Sequence, residues 1–141
     1  MAWQTLRGWW RRLFPARSLG RRGEELAAKH LRRLGYKILR LSDRGALGEI
    51  DLVALDRRTV VFVEVKTRVS SESGHPSEAV DDAKQRRLTR LALAWLKRRG
   101  LLEQPARFDV VAITWPDDGR SPRIEHFPNA FEAIGPGGMY S

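Results

Sequence analysis

The sequence predicts an α/β domain of order α-β-β-β-α-β-β with a mixed central sheet, and three observations predict it. Two stretches carry an apolar stripe at helical spacing. Between them, two apolar strand segments flank a polar turn, Asp56-Arg57-Arg58-Thr59. Two more strand segments follow the second helix. At 141 residues the chain is one domain long and large enough for a real core. With 42% hydrophobic and 30% charged residues it is not disordered by composition. No apolar run approaches the roughly 18 residues of a spanning helix, so a protein without membrane spans is expected.

Residues 1–20 read as a separate basic, aromatic extension with Arg7, Arg11, Arg12 and Arg17 and no acid. Trp3, Leu6, Trp10 and Leu13 recur at helical spacing, Trp9 and Phe14 stand beside them, and Pro15 ends the run. The arginines interrupt any signal-peptide core. Peripheral membrane contact, nucleic-acid contact and packing on the domain all remain open for this segment.

The domain proper is expected over 21–134. A helix from Gly20 to Leu34 places Glu24, Ala27, Leu31 and Leu34 at i, i+3, i+7 and i+10, facing the core, with Gly35 as a left-handed cap. Glu25 pairs with exposed Lys29 instead. A strand follows over Tyr36 to Leu41, then a loop from Ser42 to Gly48. The hairpin comes next, with strands Glu49 to Leu55 and Val60 to Thr67. If Leu55 faces Val60, Asp51 lies opposite Glu64 and Glu49 opposite Lys66, with Cβ atoms roughly 5 Å apart. One face then carries Ile50, Leu52, Ala54, Val61, Val63 and Val65. The other carries Glu49, Asp51, Val53, Leu55, Val60, Phe62, Glu64 and Lys66.

After a flexible segment from Val69 to Gly74, a second helix is expected from Pro76 to Arg99, stopped by Gly100. It buries Val80, Leu88, Leu91 and Trp95 and exposes Arg86, Arg90, Lys97, Arg98 and Arg99, with Lys84 at the edge of the buried stripe. Strands over Arg107 to Thr114 and Arg123 to Phe127 close the sheet. Residues 135–141, with three glycines and a proline, form a flexible tail.

Hairpin stability does not explain the ionisable groups. A Glu49–Lys66 ion pair is an ordinary cross-strand contact, but two facing carboxylates repel, and burial worsens the repulsion. A proton or a cation must compensate them. Mg²⁺ or Mn²⁺ on Asp51 and Glu64, completed by water and a substrate phosphate, is the simplest arrangement, and a structural charge cluster is the alternative. Lys66, on the same face, then points at that phosphate or at the attacking water.

These residues carry a resemblance. Gly48-Glu49-Ile50-Asp51-Leu52-Val53, followed by Val61-Phe62-Val63-Glu64-Val65-Lys66-Thr67-Arg68, resembles the YraN family, distant relatives of archaeal Holliday junction resolvases, and the PD-(D/E)xK nuclease signature. Gly23-Glu24-Glu25-Leu26-Ala27, Leu31, Gly35-Tyr36, Lys84 and Arg107-Phe108-Asp109-Val110-Val111 match as well, so the likeness covers residues 20–128. It implies a restriction-endonuclease-like fold and Mg- or Mn-dependent endonuclease chemistry, with branched or structured DNA as one candidate substrate. It implies Asp51 and Glu64 as metal ligands, the Val65 carbonyl as a further one, and Glu24 as a second-metal or water-shell acid. Lys66 completes the catalytic set with Asp51, Glu64 and Glu24, while Glu49 holds Lys66 in place. Resolvases of similar fold act as dimers, which leaves a homodimer open.

A net charge of +9 favours a polyanionic partner, DNA before RNA, with Arg68, Lys84, Arg86 and Arg90 as phosphate contacts. The absence of cysteine excludes disulfides, thiolate metal sites and cysteine nucleophiles and is compatible with a cytoplasmic location. His30, His75 and His126 are scattered without metal-ligand spacing and read as surface residues. Two rival classes stand beside the nuclease: a nucleic-acid-binding module of the same fold, and a membrane-surface adapter acting through residues 1–20.

Overall fold

The computed structural model describes residues 16–70, 80–135 and 138–139. The helix expected within 1–15, the segment 71–74, His75 and Pro76 lie outside them. Helix α1 spans Ala16–Arg33, then come strands β1 (Lys37–Gly45), β2 (Gly48–Asp56) and β3 (Thr59–Val69). Helix α2 (Asp82–Arg98) leads into β4 (Ala106–Trp115) and β5 (Arg123–Phe131). The expected order of elements is the observed one. Two short strands, β6 (Ile134–Gly135) and β7 (Gly138–Met139), pair with each other across the boundary between the expected domain and the stretch read as tail.

The five-stranded sheet runs β1-β2-β3-β4-β5. β3 and β4 are parallel, connected through α2, and the other neighbours are antiparallel. One helix covers each face. Ala27, Ala28 and Leu31 of α1 pack on Leu52, Ala54, Val61, Val63, Val111 and Ile113. On the opposite face Leu88, Leu91, Ala92, Trp95 and Leu96 of α2 cover Val53, Val60, Phe62, Phe108 and Val110. Fully burying a side chain such as Leu31 or Leu52 contributes roughly 1.5–3 kcal/mol.

Several boundaries differ from expectation for identifiable reasons. Leu34 is 54% exposed because α1 ends at Arg33 and the chain turns away through Gly35, whose φ of +96° is the expected left-handed cap. α2 begins at Asp82 rather than near Pro76. Asp81 adopts an extended backbone and accepts the Lys84 N–H at 2.9 Å, which makes it the N-cap. β1 continues through the segment read as a loop to Gly45, forming a second hairpin with β2 across Ala46-Leu47.

The β2–β3 register is the expected one from Asp56↔Thr59 and Leu55↔Val60 to Leu52↔Val63. The face assignment fails at Ile50, which packs beneath α2 with Val53 and Phe62 rather than beneath α1 with Leu52. The break faces Ser42 of β1, which lies between the pairs Leu41↔Leu52 and Asp43↔Ile50 and has a left-handed φ of +51°.

Candidate metal and nucleic-acid site

Four elements bring the candidate residues together. α1 approaches the sheet closely at Gly23, where a β-carbon would stand 2.5 Å from Thr67 Oγ1. A larger residue would hold the helix away. The next residue, Glu24, therefore reaches the strands and accepts the hydroxyl proton of Ser42. β2 supplies Glu49 and Asp51, β3 supplies Glu64, Val65 and Lys66, and α2 supplies Lys84 from its first turn.

Asp51 and Glu64 do not form the next backbone pair of the β2–β3 ladder. Past Leu52↔Val63, the Asp51 side chain takes over: its Oδ2 accepts the Val65 N–H at 2.9 Å. Burial, followed by the charge of Glu64, raises the Asp51 carboxyl to about 8, against the lowering effect of that hydrogen bond. Glu24 is also raised, first by burial and further by Glu49, although its bond to Ser42 opposes this. At Asp51, burial and the charge of Glu64 outweigh the compensation that its hydrogen bond provides.

Cations reach only part of the cluster. Lys84 Nζ is in direct contact with Glu64 Oε1, and Lys66 Nζ lies 3.8 Å from the same oxygen. Glu49 pairs with Arg44 at 3.3 Å, so the expected Glu49–Lys66 partnership is replaced by Glu49–Arg44 and Glu64–Lys66. Burial lowers the Lys66 pKa, and neighbouring Lys84 lowers it further. Burial opposes charge on Lys84, but Glu64, with Lys66 and Asp51, holds its pKa above the ordinary lysine value.

The donor set fits a hard divalent cation. One carboxylate oxygen each from Glu24, Glu49 and Asp51 lies within 4.8 Å of the others. All these donors are oxygens, as Mg²⁺ and Mn²⁺ prefer. Glu64 is reached through Asp51, whose electrostatics it dominates after burial. Of Val65, the geometry places the N–H on Asp51. Among the phosphate-contact candidates, Arg86 and Arg90 are exposed on α2, whereas Arg68 is half-buried and donates to Thr114 at 3.4 Å. Lys84 is turned to Glu64.

Sequence reasoning assigned Ser42 to a loop and so missed it as the partner of Glu24. It also misplaced His126. That side chain is 10% exposed and shares a 2.7 Å hydrogen bond with Asp109, which is fully buried. Asp109 also accepts from Arg107 at 3.0 Å and from the Asn129 N–H at 2.9 Å. Arg107 continues to Asp56 at 3.0 Å and to the Tyr36 hydroxyl at 2.6 Å, while the His30 and Tyr36 rings stand edge-on to His126. His30 is half-buried, and burial lowers its pKa. An aspartate inside an apolar strand requires buried partners. That signal was available in Arg107-Phe108-Asp109-Val110-Val111.

Comparison with known proteins gives a consistent result. Residues 23–113 match the family model described as uncharacterised protein family UPF0102. A UPF0102 protein of Rhodopirellula baltica is 50% identical over 125 residues, covering 86% of this chain and 75% of its own length. One from Geobacter metallireducens is 52% identical over 116 residues, covering 82% and 93%. One from Geobacter sulfurreducens is 54% identical over 116 residues, covering 81% and 88%.

Proposed function

The chain belongs to the uncharacterised protein family UPF0102, the YraN family, and we propose that it is a divalent-cation-dependent nuclease hydrolysing phosphodiesters in DNA. One observation carries this reading: half-buried Asp51, with its pKa raised to about 8, lies against buried Glu64, and a lysine shares that site. Glu64 already has Lys84 and Lys66, and a second carboxylate beside it adds repulsion that a proton or a cation relieves. Asp51 with Glu64, or with Glu24 and Glu49, would hold the cation, which when bound would supply Lewis acidity to activate water and offset charge on the phosphate oxygens.

The chain's own groups do the rest. Lys66 orients the attacking water or meets the negative charge that develops on the phosphate oxygens. Glu24, fixed by Ser42, adds a carboxylate at the edge of the cluster. Exposed Arg86 and Arg90 hold the nucleic-acid backbone.

A second reading, a binding module that does not turn over, is favoured by the neutralisation of Glu64 by two lysines. Mn²⁺ calorimetry combined with cleavage assays separates the two. The nuclease reading expects one or more binding events that Asp51→Asn and Glu64→Gln each weaken strongly, with loss of cleavage. Wild type that binds DNA without binding Mn²⁺ supports the module.

A further inference from the structure

We propose that Lys84 is a resident counter-ion of Glu64 that a divalent cation must displace, so that nucleic acid and cation promote each other's binding. This rests on the nuclease reading and adds how its site is loaded. The Glu64 side chain is 8% exposed, and its Oε1 already receives Lys84 directly and Lys66 at 3.8 Å. A cation approaching Asp51 and Glu64 therefore meets two positive charges already in place.

Of the two lysines, Lys84 is the one in direct contact with Glu64 Oε1, and so the one that a cation taking that oxygen must move. Its backbone is held by the Asp81 cap at the start of α2, so the long side chain can swing while the helix stays fixed. Its side chain is 23% exposed, close to the 24% of Lys66, so it borders solvent while it holds Glu64. Arg87 is exposed three residues beyond Lys84 on the same side of α2, so a nucleic-acid phosphate held by Arg87 lies beside the helix face from which Lys84 projects. A phosphate oxygen that accepts Lys84 frees Glu64 Oε1 for the cation. By linkage, the cation must strengthen nucleic-acid binding by the same factor.

The test is Mn²⁺ calorimetry on wild type, Lys84→Met and Lys84→Gln, each with and without a phosphorothioate duplex, using a titration of duplex alone as the blank. The neutral variants should bind Mn²⁺ at least about fivefold more tightly than wild type without duplex, and should gain less from its addition. Lys84→Arg should keep the wild-type pattern. Equal Mn²⁺ affinity in wild type and both neutral variants would overturn the inference and leave the nuclease reading standing. No Mn²⁺ binding by any of them, with or without duplex, would overturn both.

Discussion

The carboxylate of Asp51 accepts the Val65 N–H at 2.9 Å, just beyond the last ladder pair between β2 and β3. A side chain thus takes over where the backbone ladder stops, and it holds half-buried Asp51 against Glu64. The compensation that this arrangement requires has a measurable pH signature.

Without metal, the raised Asp51 pKa means that the folded state holds a proton which the unfolded state releases. That contribution is fully present below pH 3.8 and is lost as pH rises to about 8. Thermal unfolding in EDTA should show this loss of stability between those values, and Asp51→Asn should flatten it. Saturating Mn²⁺ should remove it as well, since a cation compensates the ionised pair.

Asp109 should behave in the opposite sense. Burial would raise its pKa, but hydrogen bonds from His126, Arg107 and Asn129 hold it below the ordinary carboxylate value. Its stabilisation is present above pH 3.8 and lost as pH falls through the lower folded value. Asp109→Asn, which leaves Arg107 and His126 without their carboxylate, should cost about 3 kcal/mol in urea unfolding at neutral pH. Mn²⁺ affinity should stay near wild type.

Gly23 gives a packing prediction. Alanine in a helix is favoured over glycine by about 1 kcal/mol. Here its β-carbon would stand 2.5 Å from Thr67 Oγ1, and overpacking typically costs about 1–3 kcal/mol. Gly23→Ala should therefore be destabilising in wild type and stabilising in a Thr67→Ala background, as a double-mutant cycle of melting curves would show.

The basic surface predicts salt dependence. Arg86 and Arg90 are exposed on α2, and replacing either with alanine should lower the slope of log affinity against log salt by about 1 for every DNA tested. A fluorescence-anisotropy series across salt concentrations measures it.

Much of this architecture was legible because the hairpin's apolar segments and polar turn determine its register. Leu55↔Val60 and the pairs down to Leu52↔Val63 follow from that alone. What was not legible depends on conformation that a residue type does not announce. Residue type does not show that Ser42 adopts a left-handed backbone and bonds Glu24, or that Ile50 packs beneath α2. Asp81, an ordinary capping residue, moved the start of α2 and placed Lys84 in its first turn. His126 looked isolated in sequence because its partner, Asp109, lies 17 residues away on the neighbouring strand.

The central claim is metal-dependent cleavage with Lys66 acting in the chemical step. Its most direct test is a panel of linear, flapped, four-way-junction and single-stranded substrates with Mg²⁺, Mn²⁺ or EDTA, using wild type and Lys66→Ala. Wild type should cut at least one substrate with metal and none in EDTA. Lys66→Ala should bind DNA nearly as well yet cut at least about tenfold more slowly, a loss of about 1.4 kcal/mol of transition-state stabilisation. Wild type that cuts nothing with either metal, or Lys66→Ala that cuts as fast as wild type, would contradict it.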